Sequence, residues 1–394
     1  MSGVDTKKAS FATLFSVASV WFGSHAGGGF ATGNQATQYY VQYGWFAPIF
    51  AVISMAILAL VAREAITMCN NHGFNNYKEL FEEMWAPYSK LEILFEIYFM
   101  IIVICAVSAA IAGCASLLVD YGIPYGVGVT IIGLLVLILV MFGAGLVAKA
   151  SAAMSAVILI CVFIIFILGI AGRTEQLGQV YSAMESNHVG TAIWKVFVYA
   201  GFQSVMIPAL VGAGTVLKTR KNASRACFLG FLMNGLALGI SCVMLIGWYN
   251  TGADSYLATE NLTLPTIYIC RQLGVSVLEI VYAIALFLCF LSTCVTSVYG
   301  LIPRFQGTKA FKSMNPKVSS FVIALIAIVI SMAFSMVGLT NVIKYGYNYC
   351  GILGVFIIVI PMLTIGFKKN KKFLGEHPEY VGEQIGRASC RERV

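Results

Sequence analysis

The residues that could do chemistry cluster early in the chain, in Phe22-Gly23-Ser24-His25-Ala26-Gly27-Gly28-Gly29-Phe30-Ala31-Thr32-Gly33. One titratable side chain, His25, stands among five glycines inside an apolar segment, residues 10–43. As one helix that segment would measure roughly 50 Å at ~1.5 Å per residue, against a bilayer core of ~30 Å. It must tilt, protrude or break, and the glycines say where it breaks. Unwound backbone at membrane depth persists only where it is buried in protein or lines a cavity. The half-helix that restarts near Gly28 or Gly29 offers free N–H groups and a positive dipole end, suited to a carboxylate. The half-helix that stops near Gly23 offers the carbonyls of residues 23–26, suited to a cation.

The elements that hold this stretch follow from composition. The chain is 59% hydrophobic and 11% charged, with mean hydropathy +0.85, where soluble domains carry about 25% charged residues. This is the composition of a polytopic membrane protein, and the net charge of +8 sits in loops between apolar runs, which argues against nucleic acid. No secretory signal is expected, because the first apolar stretch is too long and lacks a cleavage site. The eleven cysteines form no CxxC pair and read as packing residues.

Ten spans are expected, over residues 10–43, 45–62 (with 69 as the alternative end), 91–119, 126–147, 150–172, 191–217, 226–248, 275–303, 318–339 and 345–367. A short amphipathic helix over 77–85 is expected at the interface, with apolar positions 77, 80, 81, 84 and 85 on one face. With the N-terminus cytoplasmic, eighteen Lys and Arg fall on the inner side and four on the outer, a strong positive-inside bias. The expected location is the cell membrane, multi-pass, with both termini cytoplasmic. Trp45, Trp194 and Trp248 fall at outer ends, as interfacial anchors. Residues 368–384 read as a cytoplasmic tail. Residues 385–394, IGRASCRERV, have no membrane or core logic and read as a non-native tail.

Residues 10–172 and 191–367 form two consecutive sets of five spans. Five is odd, so the second set enters from the opposite face. The sixth span is also interrupted, by Gly201, Pro208, Gly212 and Gly214. Matched interruptions in inverted halves point to the binding site of a secondary transporter. Phe30 and Phe202 would wall an apolar part of the solute, and Gln203 and Ser204 lie in the second break. In the eighth span Ser292-Thr293 and Thr296-Ser297 place hydroxyls one turn apart on one face. They would either complete an oxygen shell for a hard cation or bond back to their own helix. His25 admits three roles: carrying a coupled proton, donating to solute, or being a neutral structural residue. Lys149 either snorkels to the inner interface or acts as a tethered cation. Glu96 and Glu279 read as interfacial. Tyr98 and the Tyr345, Tyr347, Tyr349 group read as packing or interface residues.

The two broken helices, the five-plus-five arrangement and the eighth-span hydroxyls resemble the LeuT-fold amino acid–polyamine–cation superfamily. Within it, Gly27-Gly28-Gly29-Phe30-Ala31-Thr32-Gly33-Asn34-Gln35 resembles the glycine-rich first helix of the YkvI family of bacterial membrane proteins, which often reads GAGFASGQE. The resemblance implies an all-α, ten-helix LeuT-like 5+5 inverted repeat with discontinuous helices one and six. It implies that Gly23 and Ala26 give carbonyls to a sodium ion, together with the Cys289 carbonyl and the Ser292 and Thr293 hydroxyls. It implies that Gly27, Gly28 and Gly29 give amides to a substrate carboxylate. It also implies that spans one, two, six and seven rock against a scaffold of three, four, eight and nine. The acidic residue that follows GQ in the family is replaced here by Ala36, and His25 is not expected at its position.

The resulting expectation is a symporter-like secondary transporter for a small amino-acid-like or carboxylate solute, coupled to Na+ or H+. No other cofactor or metal, no nucleic acid and no catalytic residue is expected. The alternative is a channel or a non-transporting sensor on the same fold. An intramembrane enzyme is disfavoured by the lack of GxS spacing, a carboxylate orienter or HExxH.

Overall fold

The computed structural model describes residues 8–25, 27–74, 76–249 and 263–382, with side chains at 144, 146 and 148–155 not described. Ala26, the Lys149 side chain and residues 385–394, all singled out from the sequence, lie outside that description.

The first span is three short helices, α1 (Phe11–His25), α2 (Gly28–Ala31) and α3 (Asn34–Tyr39). It leads to α4 (Ala47–His72), α5 (Tyr77–Trp85), α6 (Ile93–Val119), α7 (Tyr125–Phe142), α8 (Ala144–Ala171) and α9 (Thr174–Ala183). The second half runs through α10 (Val189–Gln203), α11 (Ile207–Gly214), α12 (Arg220–Trp248), α13 (Pro265–Gln272), α14 (Ser276–Gln306), α15 (Pro316–Ser335) and α16 (Leu339–Glu376). Eight helical segments among the described residues are each long and apolar enough to cross a bilayer, α10 and α11 counting together as one. α8 with α9, bent by 72° between them, makes a ninth candidate, and the expected first span is the run of three short helices α1 to α3.

Two packed groups emerge. α4 pairs most extensively with α12, and α1, α10 and α11 join them. α6 packs on α7, α14 and α15. α8 bridges the groups by touching both α14 and α12. These are spans one, two, six and seven against three, four, eight and nine. α16 lies on α10, where small residues let backbones meet. A Cβ on Gly201 would overlap the Gly351 carbonyl oxygen, and one on Gly354 would overlap that of Gly201.

Several elements depart from the sequence reading. The polar loops that precede spans six and eight each contain a helix, α9 and α13. α5 is not simply interfacial: Leu80, Phe81 and Met84 are fully buried, and Phe81 stacks on Phe95 of α6 at 4.0 Å. Trp248 is not an anchor facing lipid. It is buried, and its N–H donates to Gly169 O at 3.1 Å. Glu64, which the sequence reading did not single out, is fully buried. Arg63 and Arg220 each lie 2.7 Å from its Oε1, and Asn370 Nδ2 donates to Oε2 at 2.9 Å. A buried carboxylate persists only when paired in this way, so Glu64 ties α4 to the start of α12 and the end of α16.

Candidate functional site

The break in the first span has two parts. Gly27 is extended, with φ −71° and ψ −177°, so the chain leaves α1 and restarts as α2. Phe30 and Ala31 both donate to Gly27 O at 3.1 Å. Gly33 then turns the chain a second time with φ +77°, a left-handed conformation that favours glycine. A Cβ there would also stand 2.7 Å from Thr266 Oγ1.

The sixth span is interrupted more gently. α10 passes through one 3₁₀ turn, Ser204–Met206, into α11. The cause is Pro208, which has no N–H to give the carbonyl four residues earlier. The Tyr98 hydroxyl, from α6, lies 2.8 Å from both the Gly201 and Phe202 carbonyls and serves the end of α10. Tyr98 is therefore a buried cap on the second interruption, beyond the packing role read from sequence.

A cavity of about 540 Å³ lies where the two interruptions meet α6 and α14. It is lined by Gly23, His25, Gly27, Gly28, Gly29, Phe30, Phe202, Gln203, Cys289, Ser292, Thr293, Thr296 and Ser297 among the residues singled out above. Ser204 does not line it: its hydroxyl donates to Ala200 O at 2.8 Å, within its own helix. Gln35, Phe99 and Arg304, to which the sequence reading gave no place in the site, also line it, and so does Tyr347, read there as a packing or interface residue.

The glycines serve differently from what a uniform amide cradle would require. A Cβ on Gly28 would overlap the Phe290 ring, and so would one on Gly113. Phe290 of α14 thus fills the space between the first break and α6. A Cβ on Gly29 would overlap the Gln35 amide, whereas one on Gly23 would meet nothing within 4 Å. Thr293 Oγ1 lies 4.0 Å from the Cβ position of Gly27, so α14 reaches the break. Both Ser292 and Thr293 hydroxyls donate to Cys289 O, at 3.0 and 2.9 Å, and Thr296 donates to Ser292 O at 2.7 Å. Their donors are spent on their own helix, which leaves oxygen lone pairs for a cation.

One side of the cavity is sealed. Phe202 stacks on Tyr347 at 4.4 Å, and Tyr39 stacks on Phe202 at 6.2 Å. Thr266 N–H donates to Thr32 O at 2.9 Å, and Asn34 Nδ2 donates to Thr340 Oγ1 at 2.9 Å. The other side extends past Gly300 and Leu301 to Arg304 at the end of α14. Arg304 pairs with Glu96 at 2.9 Å and lies 4.1 Å over the Phe99 ring. Glu96 is thus at the cavity mouth instead of facing lipid headgroups alone.

His25 is buried, with Nδ1 2.8 Å from Asn234 Oδ1 and Nε2 2.9 Å from the Tyr199 hydroxyl. Neither partner was singled out from sequence. The readable signal was Asn234, an amide amid the apolar run that became α12.

The sequence matches no protein-family model and no curated protein. The structure is similar to solved transporters at low identity. The Eremococcus coleocola manganese transporter, in complex with an aromatic bis-isothiourea substituted compound, aligns with TM-score 0.57 and 14% identity over 95% of this chain and 91% of that one. A Na+-coupled sialic acid symporter in a substrate-bound outward-open state aligns with TM-score 0.57 and 13% identity over 90% of each chain. MhsT in complex with L-phenylalanine aligns with TM-score 0.58 and 13% identity over 95% of this chain and 99% of that one. Together with the eight apolar spans and the broken first helix, these alignments establish that the chain is an all-α polytopic membrane protein with a LeuT-like fold.

Proposed function

We propose that the chain is a secondary transporter working by alternating access. The observation that carries this is the cavity where two interrupted spans meet, with lining residues that run from the first break down α14 to Arg304. The eighteen-to-four distribution of Lys and Arg puts the Arg304 end in the cytoplasm, with both termini. The two repeats are 10–172 and 191–367, and 368–384 is a cytoplasmic tail.

The solute is a small amino-acid-like or carboxylate compound. Among the described residues no three His, Cys, Asp or Glu are grouped to hold a metal ion, which favours an organic solute over the manganese named for one neighbour. Among the lining residues the charged one is cationic, Arg304, which favours a carboxylate on the path. Gly27, Gly29, His25, Gln203, Phe30 and Phe202 contact the solute, with Gly28 placed by Phe290 to hold the break open. A coupling cation, Na+ or H+, completes the cycle. For sodium the donors are Gly23, Ala26, Cys289, Ser292 and Thr293, with Thr296 and Ser297 nearby. A cytoplasmic or plasma membrane location and kinship with the YkvI family belong to the same proposal.

A thermal-shift screen of amino acids and small carboxylates, with and without sodium, tests it. A ligand at a hundred times its Kd stabilises the folded state by about 2.7 kcal/mol. A hit that also exchanges across liposomes in counterflow supports transport. No hit, or unitary conductance in a planar bilayer, overturns it.

A further inference from the structure

A second depression, of about 400 Å³, lies along the seam between α4 and α12. α4 lines it at positions 56, 59, 60 and 63, and α12 at 224, 227, 228 and 231. Both sets follow i, i+3, i+4, i+7 spacing, so each helix gives one continuous stripe. Ala56, Ala59 and Cys227 are too small to fill the seam. Leu60 and Phe228 stand beside them, 43% and 59% exposed. Each stripe runs about 10 Å at ~1.5 Å per residue, along the direction of the surrounding acyl chains. Ile53 and Ile49, further along α4, are also exposed and continue the apolar stripe.

One end of this apolar groove is basic. Arg63 lines it there, and Arg63 and Arg220 share one oxygen of Glu64, each at 2.7 Å. The other oxygen accepts from Asn370 Nδ2 at 2.9 Å. Two guanidinium charges against one carboxylate leave one positive charge at the end of the groove. Glu64 engages Arg63 through Nε and Nη2, and a guanidinium carries five N–H donors. Lys221, exposed and one turn before Ser224, adds to the same end. Both chain ends lie here too: Ala9 N–H donates to Asn222 Oδ1, and Lys221 N–H to Val381 O, each at 3.1 Å.

We propose that this groove binds one anionic phospholipid, with an acyl chain between Leu60 and Phe228 and the phosphate on Arg63. The assignment to the cytoplasmic leaflet rests on the orientation given with the transport reading; the groove and its charge do not. That leaflet is the anionic one, and basic pockets between spans on its side take anionic head groups. The occupant must carry an anion at one end and a flexible apolar chain behind it. Inorganic phosphate meets only the first requirement, and a neutral lipid only the second. A second copy of this chain is a poor occupant. A two-fold axis along the membrane normal would bring Arg63 against its own copy, in a chain of net charge +8. Since α4 and α12 are the most extensively paired helices of one packed group, the lipid bridges two spans of that group from outside.

The test uses the full chain purified in detergent. The probes are phosphatidylglycerol and phosphatidylcholine with identical acyl chains, and bound lipids are counted by native mass spectrometry. Phosphatidylglycerol should bind about fivefold more tightly, the worth of one basic residue near an anionic surface. Arg63→Gln should erase that preference. Should that variant fail to fold, because Arg63 also supports buried Glu64, Ala59→Phe carries the test. It fills the groove from the lipid side, leaves the ion pairs alone and should remove the bound phosphatidylglycerol. Equal binding of the two lipids, or a preference that Arg63→Gln retains, overturns the head-group position. Full occupancy in Ala59→Phe overturns the groove. Glycerol phosphate that competes as well as the lipid at equal concentration overturns the lipid as occupant. So does a concentration-dependent dimer that Ala59→Phe disperses, which would give the groove to a second copy. Failure of the solute screen would sink the transport reading and leave these lipid counts untouched, so the two fail separately.

Discussion

The two interruptions that meet at the cavity are built differently. In the first span the chain becomes extended at Gly27 and left-handed at Gly33, and three short helices replace one. In the sixth the backbone stays right-handed throughout, from Gln203 at φ −71° and ψ −10° to Met206 at φ −75° and ψ −13°, and one 3₁₀ turn suffices. Five glycines produce the first, and a single proline with its Tyr98 cap produces the second. The difference assigns the work. The open break presents peptide groups to the cavity, while the tight one presents side chains, Phe202 and Gln203, and anchors α10 against α16.

Substitutions can break or sharpen this contrast. The largest effect is expected at Gly201→Leu. Its Cβ meets the backbone of Gly351 and Val355, which cannot yield as a side chain can. A loss of about 3 kcal/mol or more is expected, read as a fall in Tm and in monodisperse yield. A wild-type Tm would end the account of the α10–α16 crossing. Next comes Gly28→Leu, which overlaps the Phe290 ring. Here a side chain can move, so a cost of about 1–3 kcal/mol is expected, with the protein still inserted and uptake abolished. Normal uptake would remove the first break from the site.

Tyr98→Phe should cost about 1–3 kcal/mol by removing the one hydroxyl hydrogen that the buried Gly201 and Phe202 carbonyls share. A neutral Tm would mean that the sixth span needs no cap. The smallest effect on stability, under about 1 kcal/mol, is expected for Ser292→Ala with Thr293→Ala, since both hydroxyls bond within their own helix. The same double variant should weaken any thermal shift produced by sodium. An unchanged sodium shift would remove the α14 hydroxyls from cation binding.

Much of this was legible in the chain. Apolar run lengths against bilayer thickness gave the spans, and the glycine run with its histidine marked the first break. The packing partners of those residues were not legible. Nothing local distinguishes Gly28, which accommodates Phe290, from Gly23, whose Cβ direction is empty. Nothing local says that Trp248 turns inward to Gly169 while Trp194 remains partly exposed. Glu64 escaped notice because its partners Arg220 and Asn370 lie more than 150 residues away in sequence.

By itself, then, the sequence determined where the chain crosses the membrane and where a helix must give way. Those outcomes depend on hydrophobic length and on glycine and proline, which act within a few residues. Only the tertiary structure decided which loosened peptide groups face open space, and that His25 lies between Asn234 of α12 and Tyr199 of α10. Those outcomes depend on side chains brought together from distant helices, and their geometry exists only once the two packed groups close around the cavity.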